Sequence, residues 1–324
     1  MQNDSIEKVI ETIMAADDIA VVTHVGPDGD ASGSSLALGL MLGKLGKRAK
    51  VYVRRSDLGA PAVMSGTELF SDPDAADLAP GLLVCLDCAT PARISVPGFR
   101  DKLDGLNVLN IDHHESNDGF GKVNYVVADA SSTGELVWRI ARAADWEIDQ
   151  SAAEALWVAI VTDTGRFSYS CTHPSTLECG ADLLRRGVRQ DFLNDEIFSR
   201  MELRALRLRA RAYASLETWM DGKVAVIHLD VPDYLATGCR KADSEEFVNI
   251  PRAVRGASLA IFFYRSKSYD DATHLSIRAR EPLSASALAE RFGGGGHRLA
   301  AGATIKCGIE EAMERVRKEL PGLV

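Results

Sequence analysis

Eight side chains that can bind metal ions or transfer protons occur in four short segments of the first half of the chain. Five are aspartates and three are histidines: His24, Asp28, Asp30, Asp87, Asp112, His113, His114 and Asp163. A single aspartate such as Asp28 is usually a turn former or a helix cap, and two adjacent histidines alone mean little. Because every one of the eight follows or ends a strand-like or apolar run, the set as a whole indicates a functional site.

The chemistry of such a set is constrained by charge. Carboxylates held close together in a partly buried site repel each other strongly, and Arg166 is the only basic residue directly beside these segments. Either several pKa values rise or cations lie among the carboxylates. Oxygen and imidazole ligands without thiolates favour Mn²⁺ or Mg²⁺. Two such ions about 3.5–4 Å apart would activate a water for attack on phosphorus.

The elements that must position these residues alternate between strand and helix. β-rich runs cover residues 19–25, 49–55, 81–88 and 106–112, and helical patterns cover 32–45 and 131–144. This alternation predicts an α/β fold with a mostly parallel, doubly wound sheet and helices on both faces. In such a sheet ligands bind beyond the carboxyl ends of the strands. The four segments are therefore expected at one edge.

A chain of 324 residues is longer than one core usually supports. Residues 181–220 show no strand pattern and are predicted to be helical, and a β pattern restarts at Lys223. We therefore predict a catalytic metal-binding domain over residues 1–190, a helical connector over 191–220, and a smaller α/β substrate-binding domain over 221–324.

Composition and charge exclude several classes of protein. The net charge is -9, and residues 1–220 hold 22 basic against 32 acidic side chains, which argues against binding of long nucleic acid. The sequence contains no apolar run long enough for a membrane span, and six scattered cysteines fit a reduced, cytoplasmic protein. The eight arginines of residues 185–211 are expected to form a solvated helix face, although a track for RNA is the alternative.

At this point the motifs resemble a known family. The segments THVGPDGD (23–30), CLDCATPARIS (85–95), NIDHHESN (110–117) and VTDTGRFSYS (161–170) are similar to the four motifs of the DHH phosphoesterases. The segment FGGGGHRLAAGA (292–303) resembles the glycine-rich signature of the associated DHHA1 domain. The most similar subgroup is that of the NrnA-like oligoribonucleases, which also hydrolyse 3′-phosphoadenosine 5′-phosphate (pAp). The compact length favours this subgroup over RecJ exonucleases and cyclic-di-AMP phosphodiesterases.

The resemblance implies two Mn²⁺ ions, with Mg²⁺ or Co²⁺ as alternatives. One ion would be bound by His24, Asp28 and Asp87, and the second by Asp30, Asp87, His113 and Asp163, so that Asp87 bridges them. Asp112 would not bind an ion itself but would orient His113, which does. His114 would lie close to the scissile phosphate, as an electrostatic stabiliser of its charge or as a proton donor.

The resemblance also implies substrate-binding residues in the second domain. Glycines let the backbone N–H groups approach an anion closely. The resemblance therefore assigns substrate binding to Gly294, Gly295 and Gly296 together with His297. Arg265 and Arg278 are similar to the family's phosphate-binding arginines, and a guanidinium can bind a phosphate through two parallel hydrogen bonds.

The implied function is a Mn-dependent phosphoesterase that hydrolyses short oligoribonucleotides (nanoRNA) to 5′-mononucleotides and pAp to AMP. Alternatives within the same chemistry are cleavage of cyclic or linear dinucleotides such as pApA, or of pyrophosphate or polyphosphate. A nucleotide-sensing binding protein is the non-enzymatic alternative, which the intact motif set disfavours. Short oligoribonucleotides and small nucleotides are the expected partners, without long nucleic acid or membrane, and a homodimer is left open.

Overall fold

The computed structural model describes residues 3–58, 60–77, 79–265 and 272–323. The chain divides into two compact units, Met1–Arg200 and Met201–Val324. The division falls inside the expected connector of residues 191–220, so that each unit contains part of that segment. The second unit alone contains the helix that carries the four arginines at 204, 207, 209 and 211.

The first unit is built on a six-stranded, entirely parallel sheet with the order β3-β2-β1-β4-β5-β6. Its strands are β1 (Asp18–Val22), β2 (Arg48–Tyr52), β3 (Phe70–Ser71), β4 (Leu82–Leu86), β5 (Val108–Asp112) and β6 (Val123–Val126). Every residue of β4 and β5 is buried. Burial on both faces explains why these central strands are almost continuously apolar rather than alternating.

Besides short 3₁₀ turns, the described residues of the first unit form seven α-helices and one π-helical turn. They are α1 (Ile6–Ala15), α2 (Gly29–Lys44), α3 (Pro97–Arg100), α4 (Thr133–Ala143), α5 (Gln150–Asp163), α6 (Pro174–Arg185), α7 (Gln190–Asn194) and the turn Asp195–Ser199. The helices α2, α4 and α5 pack into the larger core on one face of the sheet. The opposite face is covered by α3 and the irregular segments around it rather than by long helices.

The second unit contains a six-stranded mixed sheet with the order β11-β12-β10-β9-β8-β7. Only the pair β8–β9 is parallel. In chain order its elements are α8 (Leu203–Ala214), β7 (Glu217–Trp219), β8 (Val224–Leu229), α9 (Val231–Thr237), α10 (Asn249–Arg252), β9 (Leu259–Tyr264), β10 (Thr273–Ala279), α11 (Ala285–Glu290), β11 (Gly295–His297), β12 (Ala300–Ile305) and α12 (Ile309–Glu319).

The predicted mixed α/β class, with a parallel sheet first and a second sheet later, is confirmed. The prediction of helix throughout residues 181–220 is wrong at β7, which pairs with β8 as a short edge strand. The short strands β3 and β6 were not predicted, because two to four residues give too little periodicity. No helix in the described ranges is long and apolar enough to cross a bilayer.

Candidate active site

The structure brings all four motif segments together at the carboxyl edge of the parallel sheet. His24 follows β1, Asp87 follows β4, and Asp112 is the last residue of β5. Asp28 caps the N-terminus of α2, where its Oδ1 accepts a hydrogen bond from the backbone of Ala31. Asp163 ends a helix rather than a strand, because the apolar segment before it forms α5.

Among the described residues, ligand-type atoms form three groups at this edge: Asp87 with His113 and His114, and the two groups whose distances follow. His24 Nε2 lies 3.8 Å from Asp28 Oδ2 and 3.5 Å from Asp87 Oδ2. In the second group, His113 Nε2 lies 3.2 Å from Asp163 Oδ2 and 3.8 Å from Asp30 Oδ2. Each set of three residues offers one ligand atom per residue with all atoms within 4.8 Å of one another.

Asp87 lies between the two groups. Its Oδ2 faces His24, while its Oδ1 is 3.7 Å from His113 Nε2 and accepts a hydrogen bond from Thr133 Oγ1 at 3.2 Å. The backbone of Asp87 has φ 55°, a left-handed conformation that costs a non-glycine residue energy and is concentrated at functional sites. Its placement is that expected of a carboxylate shared between two ions.

Asp30 is held by the beginning of helix α4. Its two carboxylate oxygens accept hydrogen bonds from the backbone N–H groups of Thr133 and Gly134, at 2.7 and 2.8 Å. A Cβ on Gly134 would lie 2.4 Å from the Cβ of Ala159 and 3.4 Å from Asp30 Oδ1. The glycine is therefore needed for this close approach. Thr133 and Gly134 were not singled out in the sequence, although the capping pattern there marked the N-terminus of α4.

The negative charges of the carboxylates repel one another. Burial and the nearby charges of Asp87 and Asp163 raise the pKa of Asp30 well above its ordinary range. Burial and the charge of Asp87 raise the pKa of Asp163 to about 7. Burial alone would lower the pKa of His24, but hydrogen bonding to Asp28 and Asp87 raises it to about 10. The site therefore has an excess of negative charge, and protons on Asp30, Asp163 and His24 neutralise part of it.

The donor set fits divalent cations. Ligands about 2.1 Å from an ion in octahedral geometry are about 3 Å or more apart, and the measured donor separations of 3.2–3.8 Å agree with this value. All donors are carboxylate oxygens or imidazole nitrogens, a mixture suited to Mn²⁺ or Mg²⁺. The C-terminus of α5, where Asp163 lies, adds partial negative charge that also favours a cation.

Asp112 contacts a different histidine ring from the one we expected. Its Oδ1 is 2.7 Å from His114 Nδ1, whereas it meets His113 only through the backbone N–H, at 2.8 Å. The bond to Asp112 raises the pKa of His114. On the other side, buried Asn117 donates to Asp112 Oδ2. Asn117 was not singled out in the sequence, although it lies within the NIDHHESN motif.

In the second unit the glycine-rich segment forms structure rather than a flexible linker. Gly295–His297 is strand β11, paired with β12. A Cβ on Gly294 or Gly296 would lie 2.2 and 2.6 Å from backbone oxygens of β12, so both positions require glycine. Arg278 and His297 both pair with Ala300, which places their side chains on the same face of the sheet.

The other arginine expected in this group lies elsewhere. Arg265 follows β9 at the end where Tyr264 pairs with His274, while Arg278 pairs with Ala260, four pairs further along. The two arginines are thus about 17 Å apart along the strands, and Arg265 Nε lies 3.8 Å from Asp230. The structure therefore groups Arg278 with His297 but not with Arg265.

Comparison with known proteins assigns the chain to a family. The model of the DHH family, N-terminal domain, matches residues 18–160, and that of the DHHA1 domain matches residues 221–323. The bifunctional oligoribonuclease and PAP phosphatase NrnA of Thermus thermophilus is 34% identical over 93% of this chain and 90% of that protein. This chain belongs to the DHH phosphoesterase family. It is accordingly a hydrolase.

Other proteins are similar to this chain over nearly its whole length. The NrnA of Bacillus subtilis is 26% identical over 92% of each chain. The crystal structure of an exopolyphosphatase-related protein from Bacteroides fragilis superposes with a TM-score of 0.85 and 26% identity, covering 97% of this chain and 96% of that one. Exonuclease RecJ bound to manganese shares the fold at a TM-score of 0.53, with 13% identity and coverage of 98% and 94%.

Proposed function

We propose that this DHH protein hydrolyses short oligoribonucleotides to 5′-mononucleotides and pAp to AMP. The observation that carries the proposal is the position of Asp87, whose two oxygens face two separate groups of ligands. The relatives named as oligoribonuclease and PAP phosphatase, similar over nearly the whole chain, support the substrate class. The six cysteines, all free thiols, support a cytoplasmic location.

Mn²⁺ is the proposed cofactor, with two ions per chain. His24, Asp28 and Asp87 would hold one ion, and Asp30, Asp87, His113 and Asp163 would hold the other. Ions held by these residues would supply positive charge for the phosphate and would make a water more acidic and more nucleophilic. The manganese in the structure of RecJ supports a divalent ion here, and Mg²⁺ and Co²⁺ remain the alternatives.

His114 is the proposed proton donor. Its Nδ1 is engaged by Asp112 at 2.7 Å, which leaves Nε2 to face the substrate. Because the bond to Asp112 raises the pKa of His114, the ring is protonated more fully at neutral pH. When the bond between phosphorus and the O3′ oxygen breaks, Nε2 would donate its proton to that oxygen.

Arg278 and His297 are proposed to bind a second phosphate or the sugar of the substrate. Burial and the charge of Arg252 lower the pKa of Arg278. Two neighbouring guanidinium groups form an attractive site for a phosphate. The backbone N–H groups of Gly294, Gly295 and Gly296 are proposed to assist. Arg265 remains part of the proposal only as a peripheral contact, because Asp230 already lies beside it.

A panel of substrates assayed with Mn²⁺ tests the proposal. We expect the highest kcat/KM for pAp and for RNAs of two to five nucleotides, with slower cleavage of cyclic di-AMP and pyrophosphate. Preference for pyrophosphate would favour the polyphosphatase alternative, which the Bacteroides fragilis relative suggests by its name. Tight nucleotide binding without any cleavage would establish a sensor instead.

A further inference from the structure

The fourth motif contains two exposed side chains that the proposed mechanism does not use. Tyr169 has 58% of its surface exposed, an unusual setting for an aromatic ring so close in sequence to Asp163. Arg166 is also exposed, three residues after Asp163. Both belong to the first unit, and both lie in the turn that follows α5.

The ring of Tyr169 is held flat against the backbone. A Cβ built on Gly165 would lie 2.4, 2.5 and 2.7 Å from the Cζ, Cε1 and Cε2 atoms of Tyr169. Nearly equal distances to three adjacent ring atoms mean that the ring meets the backbone with its face rather than its edge. One face therefore covers Gly165, two residues from Asp163, and the 58% of the residue that is exposed belongs to the rest of the side chain.

The turn that carries the two side chains is firmly anchored. Buried Thr164 accepts hydrogen bonds at its carbonyl from the N–H groups of Ser168 and Tyr169, both at 2.9 Å. Phe167 packs its ring edge-to-face on Trp157, with centroids 5.5 Å apart. Gly165, Arg166 and Phe167 have φ values of 54°, 59° and 61°. Strained conformations of this kind persist where the surroundings fix them, and they cluster at binding sites.

Arg166 is positioned by an aromatic ring rather than by an acid. Its guanidinium carbon lies 5.0 Å above the ring of Phe198. Within the described ranges of the chain, no carboxylate lies at ion-pair distance from this guanidinium. Its charge is thus available to an anion, beside a site whose own side chains are mostly acidic.

We propose that Tyr169 and Arg166 form a nucleotide subsite on the catalytic unit, where Tyr169 stacks on a nucleobase and Arg166 binds a phosphate of the same nucleotide. An aromatic face supported from behind and open in front is the usual platform for an unpaired base. This inference rests on the proposed function and extends it, because it requires a base next to the scissile phosphate. Since every base has an aromatic face, this contact predicts little preference among bases.

The test compares three dinucleotides: pApA and the two analogues in which one or the other adenine is replaced by hydrogen. The variants are Tyr169→Leu, which still covers Gly165, and Tyr169→Phe, which keeps the aromatic face. Tyr213→Leu is the matched control, because Tyr213 is 56% exposed on helix α8 and lies outside every motif. Thermal unfolding of each variant checks that the fold is retained.

Tyr169→Leu should lower kcat/KM about 5- to 150-fold for pApA and for one analogue. The other analogue lacks the stacked base and should be cleaved by this variant as well as by wild type. Tyr169→Phe and Tyr213→Leu should change little. Arg166→Gln should raise KM about tenfold or more for all three substrates, and Arg166→Lys should restore part of the loss.

Calorimetry with a non-hydrolysable pApA analogue and a chelator measures the same contacts without cations or turnover. The analogue should bind Tyr169→Leu at least about fivefold more weakly than wild type. If wild type cleaves pApA but Tyr169→Leu affects all three substrates equally or none, the subsite is wrong and the proposed function stands. If wild type cleaves no nucleotide at all, the proposed function is wrong, and unchanged calorimetric binding by Tyr169→Leu would refute the subsite as well.

Discussion

Asp87 follows β4 and Asp112 ends the neighbouring strand β5, yet their carboxylates have different surroundings. Asp87 faces ligand-type atoms on both sides. Asp112 is completely buried and hydrogen-bonded to His114 and Asn117. Two aspartates of similar sequence context thus have separable roles, and substitution of each should give a different result.

Asp87→Asn should remove bound Mn²⁺ from both positions and lower kcat/KM by more than 100-fold, beyond the range typical of ligand-supporting residues. Asp112→Asn should keep most of the metal and lower kcat/KM about 10- to 100-fold, because His114 loses its orientation and charge. Elemental analysis and steady-state kinetics with pAp measure both effects. Equal and mild effects of the two substitutions would contradict the assignment.

The raised pKa values predict a pH-dependent response to cations. In the metal-free chain Asp163 titrates near pH 7 instead of its ordinary 3.8, so the folded state binds more protons than the unfolded state between these values. Asp163 therefore contributes a loss of stability as pH rises through this range, and the raised pKa of Asp30 acts in the same direction.

Cations relieve this repulsion only when the carboxylates are ionised. The increase in Tm on adding Mn²⁺ should thus be larger at pH 7.5 than at pH 5.5. Asp163→Asn should flatten the pH dependence of the metal-free protein between those values. A Tm increase that is the same at both pH values in wild type would argue against cations among these carboxylates. Scanning calorimetry of chelator-treated protein provides the measurement.

The types of the site residues could be predicted from the sequence, because carboxylates and imidazoles end or follow three of the four strand-like runs and one further apolar run. Their pairing could not be predicted. His113 and His114 are neighbours in sequence, and only the backbone path after β5 decides which ring reaches Asp112. Similarly, the contact of Asp30 with α4 joins residues more than one hundred positions apart, which no local pattern encodes.

At the scale of elements, close helix packing positions the acids. Helices α2 and α5 approach at Gly33, where a Cβ would lie 2.4 Å from the carbonyl oxygen of Ala155. Asp30 is near the start of α2 and Asp163 is at the end of α5. The distance between the two carboxylates therefore depends on how closely these helices pack. The helices were predictable, but their contact was not, since a glycine in a helical pattern does not specify its neighbour.

Gly33→Ala should destabilise the protein by about 1–3 kcal/mol through overpacking and should weaken Mn²⁺ binding as well. Gly43→Ala is the matched control on the same helix, because nothing lies within 4 Å of its added Cβ. That control should stabilise the protein by about 0.5–1 kcal/mol through helix propensity. Denaturant unfolding measures both. Gly33→Ala with wild-type stability and metal affinity would contradict the role of this contact.

At the scale of the whole molecule, the arginines of residues 185–211 bear on substrate length. Five of the eight form ion pairs with carboxylates of the described chain: Arg186, Arg189, Arg200, Arg204 and Arg211. Arg209 lies over the ring of Phe247. Most of this charge is already matched within the protein, so the segment offers little free charge as a track for RNA. Five of the eight arginines are exposed and the other three are partly exposed, in agreement with the expected solvated face.

Substrate length is also limited by the overall charge. The chain has a net charge of -9, and a long strand gains affinity mainly through many phosphate contacts with basic residues. A short substrate would need only the proposed cations, Arg278 and the local contacts of the proposed site. We therefore expect dinucleotides to pentanucleotides to be cleaved faster than long RNA.

The central claim, hydrolysis of short nucleotides, is tested most directly by comparing a 2-mer and a 24-mer RNA of the same repeating sequence. The measurement is kcat/KM for each with Mn²⁺ at low salt, where electrostatic attraction to a long strand would be strongest. We predict a clearly higher kcat/KM for the 2-mer and a steady decrease with length. Equal or faster cleavage of the 24-mer would contradict the short-substrate account and indicate a processive exonuclease.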